Sequence, residues 1–133
     1  MSTPKRSKIW VIDDNEFILN LVEKGVNHYM QLVDIEKFSS FNEALRTLRF
    51  NQVATLPNLI LLDYDFGSEG TASDFLKEAD TMDFDFNFKI LLYTNNHSFE
   101  VLEKLLTHPL VYGFIHKPIK LEDLIQILVR ELQ

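Results

Sequence analysis

The chain has 133 residues, with 20 Asp plus Glu against 13 Lys plus Arg and a formal net charge of -7. That length suits one domain, and a hydrophobic share of 46% is enough for a core and too much for a disordered tail. The absence of cysteine excludes disulfides, a thiolate nucleophile and any cysteine-ligated zinc or iron–sulfur centre. The acidic balance argues against nonspecific nucleic-acid binding, where phosphate neutralisation needs a basic face. Only the beginning, with Lys5, Arg6 and Lys8, is locally basic, and residues 1–7 read as a solvated tail. Ile9 to Ile12, Leu59 to Leu62 and Ile90 to Tyr93 are apolar but too short for a signal peptide or a membrane span.

The first strand is expected over Lys8 to Ile12. Phe17, Ile18, Leu21, Val22, Val26, Tyr29 and Met30 then recur at steps of three and four, the spacing of one helix face. Val33 to Phe38 reads as a second strand. Ser40-Phe41-Asn42-Glu43 has the capping-box spacing, and Phe41, Ala44, Leu45 and Leu48 follow as a buried stripe. Pro57 precedes the third strand, Leu59 to Leu62. A polar stretch with Gly67 and Gly70 leads into a short helix, Ala72 to Ala79. The alternation Asp83-Phe84-Asp85-Phe86-Asn87-Phe88 reads as an extended approach to the fourth strand, Lys89 to Tyr93. Ser98 to Leu106 is helical, with Phe99, Leu102, Leu105 and Leu106 on one face, and Pro109 ends it. Val111 to His116 is a fifth strand. Leu121, Leu124, Ile125, Leu128 and Leu132 mark a final helix.

Five strands alternating with five helices imply an α/β fold, a doubly wound five-stranded parallel sheet with helices on both faces. No internal repeat or linker interrupts it, so one domain is expected over residues 8–133, with no second domain after the last helix.

In such sheets the ligand crevice lies at the carboxyl ends of the strands. Strand one is followed by Asp13-Asp14, strand three by Asp63 and Asp65, strand four by Thr94-Asn95-Asn96, and strand five by Lys117-Pro118. Folding gains nothing from crowding carboxylates, which repel and raise one another's pKa. A hard divalent cation resolves that conflict, and Mg2+ takes carboxylates, carbonyls, waters and phosphate oxygens. With Lys117 as a second positive charge and Thr94 as a neutral donor, the set describes a phosphoryl site. Each residue also has a plainer reading. Asp13-Asp14 would serve as a helix cap and first-turn acid, Asp63 as a turn residue, Thr94 as a cap and Lys117 as a surface charge. Their convergence on one sheet edge favours the site.

In this order and spacing, Asp13-Asp14, Asp63, Thr94 and Lys117-Pro118 resemble the receiver domain of bacterial two-component response regulators, over nearly the whole chain, from Lys8 to Leu132. The resemblance implies a flavodoxin-like receiver fold of the stand-alone type. It implies Asp63 as phosphoacceptor, Asp14 as a direct Mg2+ ligand, Asp13 acting through water, and the Asp65 carbonyl as a further ligand. It also implies that Thr94 and Lys117 contact phosphoryl oxygens, that Lys117-Pro118 is cis, and that Phe114 is an aromatic switch. The implied donor is a phosphohistidine of a sensor histidine kinase or histidine phosphotransfer protein. Output would pass from the surface of strand four, helix four, strand five and helix five to a downstream protein. Neither nucleic acid nor membrane would be contacted directly, and the protein would be cytoplasmic. It would catalyse its own phosphorylation and dephosphorylation without turning over a small molecule.

The chain departs from that family in places. Met-Pro, usual three and four residues after the phosphoacceptor, is replaced by Phe66-Gly67, and Gly70 falls one short of the usual glycine. Asn95 is larger than the usual Ala or Gly and narrows access. Asp65 and Asn96 fall where side chains tune phosphoryl lifetime. Two other classes compete. Leu59 to Asp65 also resembles the first motif of haloacid-dehalogenase-like phosphatases, with Asp63 as nucleophile and Asp65 as general acid, although the late acidic pair, Glu122-Asp123, falls inside the last helix. A phosphate-independent binding module is the other. The four His (His28, His97, His108, His116) lack metal-ligand spacing.

Overall fold

A computed structural model describes residues 6–50, 56–82, 86–95 and 99–133. Lys5, Asp83 to Asp85, and Asn96 to Ser98 therefore lie outside the described residues. The chain runs β1 (Ser7–Ile12), α1 (Glu16–Tyr29), β2 (Val33–Phe38), α2 (Phe41–Phe50), β3 (Leu59–Asp63), α3 (Ala72–Asp80), β4 (Lys89–Thr94), α4 (Phe99–Leu105), β5 (Val111–His116) and α5 (Leu121–Glu131). A 3-10 turn, Gly67–Glu69, lies in what the sequence reads as a plain polar loop. β3 and β4 each run one residue further than expected, so Asp63 and Thr94 are the last residues of their strands.

Among the described residues the five strands pair in parallel throughout, in the order β2-β1-β3-β4-β5, the flavodoxin-like arrangement. The order reverses beside β1, so the carboxyl ends of β1 and β3 flank the switch point. Asn58 fixes the opposite end. Its side chain accepts from the Lys8 N–H, its own N–H donates to the Lys8 carbonyl, and its carbonyl accepts from the Lys89 N–H. Three strands are thereby aligned at their starts, and so at their ends.

The central strands are buried on both faces. Every residue of β3 is buried, as a strand covered by helices on each side requires. One layer packs Trp10, Ile12, Ile60 and Leu62 against α2 and α3. Trp10 is wholly buried, its ring 4.6 Å from that of Phe38, and its indole N–H has no hydrogen-bond partner among the described residues. The other layer packs Val11, Leu61 and Tyr93 against α1 and α5. Gly25 lets those two helices approach closely, because a Cβ there would meet Leu121 Cδ1 at 2.8 Å.

Three expectations need correction. In α1 the buried stripe is Leu19, Val22 and Val26, while Phe17, Leu21 and Tyr29 are exposed. Two apolar stripes interleave at the same spacing on this helix, and only packing chooses between them. In α4, Leu102 and Leu105 are buried but Phe99 and Leu106 are exposed. At the start of α2, Ser40 Oγ accepts weakly from the Glu43 N–H at 3.4 Å, yet the carboxylate that serves this helix end is Glu69. Glu69 accepts from Ser40 Oγ at 2.8 Å and from the N–H groups of Phe41 and Asn42. It therefore ties the loop after β3 to α2, and Phe66 stacks on Phe41 at 3.8 Å alongside.

Candidate phosphoryl and metal site

Four strand ends deliver the polar residues. Asp13 and Asp14 follow β1, Asp63 ends β3, Thr94 ends β4 and Lys117 follows β5. Carboxylate oxygens of Asp13, Asp14 and Asp63 come within 4.8 Å of one another. Asp13 and Asp63 are buried, Asp14 is exposed at the rim, and Thr94 is 1% exposed. Lys117 Nζ donates to Asp13 Oδ2 at 2.8 Å and to Asp63 Oδ1 at 3.3 Å. The cavity over this group measures about 400 Å3 and is also lined by Asn15, Asp65, Gly67 and Asn95. A larger groove of about 560 Å3 lies between α2 and α3, where lining Arg49 and Glu78 pair with each other at 3.1 Å. Size alone does not locate the chemistry.

The plain reading of Asp13-Asp14 as a helix cap fails here. The cap of α1 is Asn15, whose Oδ1 accepts from the N–H groups of Phe17 and Ile18, and the first-turn acid is Glu16. Asp13 is held by the Asn15 N–H at 2.9 Å and by Lys117, so its carboxylate belongs to the site. Lys117 is likewise no surface charge, since its side chain is 18% exposed and bridges two carboxylates. Replacing Asn15 with Ala removes both cap bonds, and the expected loss is about 1 kcal/mol in urea unfolding. An unchanged midpoint would show that the cap contributes nothing.

Electrostatics follows from burial and crowding. Burial, and next the charge of Asp13, push Asp63 up to about 6, against the opposing pull of Lys117 and the Tyr64 N–H. Burial alone would lower Lys117, but its hydrogen bond to Asp13 and the charges of Asp13 and Asp63 hold it above its ordinary value. Three carboxylates thus crowd together, and two of them, Asp13 and Asp63, share one ammonium. The donors are all oxygen, which suits a hard divalent cation such as Mg2+ and not a soft one.

Asp65 lines the cavity, but its carboxylate turns back to accept from the Gly67 N–H at 2.9 Å. Gly67 and Gly70 adopt φ of 58° and 111°, values that only glycine takes without strain, so the loop after Asp63 has its own geometry in place of Met-Pro. The Lys117-Pro118 peptide is cis, as the resemblance implied. Phe114 is half-buried against the α2–α3 side of the sheet, its ring edge-on to His116 at 5.2 Å. Asn96 lies outside the described residues. Sequence reasoning missed three contributors. Asn15 carried the usual cap signal and was obscured by the acids before it. Glu69 and Tyr93 act through space, with no local signal.

No protein-family model and no curated protein matches the chain. Solved structures do. A response regulator receiver domain protein from Methanospirillum hungatei aligns with a TM-score of 0.80 and 20% identity, over 96% of this chain and 94% of that one. A two-component response regulator from Clostridium difficile aligns at 0.78 and 17%, over 96% of each chain. A receiver domain from Clostridium thermocellum aligns at 0.76 and 18%, over 95% and 94%. At this identity the likeness shows the fold, which is that of receiver domains.

Proposed function

We propose that the protein is a two-component response regulator that accepts a phosphoryl group on Asp63. The observation that carries this reading is the Lys117 ammonium bridging the buried carboxylates of Asp13 and Asp63, with Asp14 beside them at the sheet rim. In the proposed reaction a carboxylate oxygen of Asp63 attacks the phosphorus of a phosphohistidine. The phosphorus–nitrogen bond breaks, its electron pair stays on the imidazole, and an acyl phosphate forms. Lys117 turns from a carboxylate to a phosphoryl oxygen, and Thr94 supplies a neutral donor to another. Water later attacks the phosphorus, the bond between Asp63 and phosphorus breaks, and inorganic phosphate leaves as the carboxylate is restored. Asp13, Asp14, Asp63 and the Asp65 carbonyl would hold Mg2+, which supplies charge neutralisation between the two anions. Movement of Thr94 opens room for Phe114 to turn inward, repacking the face of β4, α4, β5 and α5.

The donor would be a sensor histidine kinase or a phosphotransfer protein, and the recipient of the signal a protein that reads the switched face. No described helix is long and apolar enough to cross a membrane, which accords with a cytoplasmic role. Turnover of a small phosphomonoester is not proposed. The Asp65 carboxylate is committed to its own loop, and Glu122 and Asp123 lie exposed in the first turn of α5.

Incubation with Mg2+ and acetyl phosphate or phosphoramidate tests the proposal. The expected result is a mass gain of one phosphate that is absent in Asp63→Asn. Mg2+ should also raise the melting temperature, and Asp14→Ala should weaken that response. No gain with any donor would overturn the reading in favour of a phosphate-independent module. Steady hydrolysis of a phosphomonoester would overturn it in favour of a phosphatase.

A further inference from the structure

Tyr93 immediately precedes Thr94 on β4, and the proposed reaction does not use it. Its Cα is the register partner of Asp63 on β3, so the two side chains rise from the same face of the sheet. The ring is 6% exposed in the layer against α1 and α5. Lys117 Nζ stands 4.9 Å from its centroid, within the ~6 Å reach of a cation–π contact. The same ammonium bonds Asp13 and Asp63, so the ring face bounds it on a third side.

Lysine carries its charge on a flexible four-carbon stem and must be confined to act at one place. A third carboxylate would confine it, but would add repulsion to a site that must admit another anion. A ring face attracts the ammonium without adding formal charge.

We infer that Tyr93 is a positioning residue whose ring face holds the Lys117 ammonium beside the Asp63 carboxylate while a phosphoryl oxygen replaces a carboxylate as its partner. The inference rests on the phosphoacceptor reading of Asp63.

Two measurements on the full chain test it. In proton NMR, the Lys117 ε-methylene resonances should lie upfield of an exposed lysine's, through the ring current. They should stay there in Tyr93→Phe and return in Tyr93→Leu. With acetyl phosphate and Mg2+, Tyr93→Leu should be phosphorylated roughly three- to tenfold more slowly, and Tyr93→Phe within about twofold of wild type. A wild-type Lys117 signal at the exposed position would overturn the inference without any variant. So would a Tyr93→Leu rate equal to wild type, or a Tyr93→Phe rate as slow as that of Tyr93→Leu. If wild type takes no phosphate while the upfield shifts persist, the phosphoacceptor reading has failed, not the ring contact, and the reaction-positioning role falls with it.

Discussion

Lys117→Met is expected to lower stability at pH 7 by about 3 kcal/mol or more, read from urea unfolding. The Lys117 ammonium is bonded to both Asp13 and Asp63, whose side chains are 2% and 10% exposed. Removing it leaves two crowded carboxylates in a poorly solvated site with no shared cation. Breaking a buried pair from one side costs more than the pair itself contributes, because the remaining charge stays buried and uncompensated. The logic also gives the control. Asp13→Asn removes one of the stranded charges, so the double variant Asp13→Asn, Lys117→Met should recover part of the loss. A strictly additive double variant, or a Lys117→Met stability within a few tenths of a kcal/mol of wild type, would show that the bridge is solvated and weak.

Asp63→Asn acts in the opposite direction. It abolishes phosphorylation in the proposed reaction, yet in metal-free buffer at pH 7 it should stabilise the fold. Asp63 ionises near 6 in the folded chain against an ordinary value of 3.8, because burial and the Asp13 charge favour its protonated form. Between those values the native state binds more protons than the unfolded one. Wild type therefore loses stability from this group as pH rises from about 4 to about 6. The neutral amide loses none. The gain at pH 7 should be about 1–2 kcal/mol, after allowing for water at the open rim, and should vanish by about pH 4. Saturating Mg2+ should shrink it too, since the wild-type carboxylates then have a counter-charge. A variant as stable as wild type at both pH values would show that the folded chain holds Asp63 no differently from an exposed acid.

The site was readable because each of its residues stands at a strand end, and strand ends announce themselves as a polar residue closing an apolar run. Leu59-Ile60-Leu61-Leu62-Asp63 is the plainest case, and a parallel sheet carries all such ends to one rim. What the chain concealed acts across distance. Glu69 serves α2 from 29 residues beyond Ser40, and a local capping pattern pointed to Glu43 instead. Phe17 and Leu19 are equally apolar, but only the approach of α5 to Gly25 decides which of them is covered. Tyr93 reads as one more apolar residue of β4 until Lys117 arrives over it from another loop. Register and helix docking, not residue type, make these assignments.

Trp10 has a practical consequence. It is the single tryptophan of the chain, fully enclosed beside Phe38, and its N–H meets no hydrogen-bond partner among the described residues. Excited selectively past the four tyrosines, it is a built-in fluorophore for the layer beneath α2. Unfolding transfers that indole from the buried core to water, so the transitions of wild type, Lys117→Met and Asp63→Asn can all be followed by its red shift. No label is needed, and no substitution touches the chromophore itself.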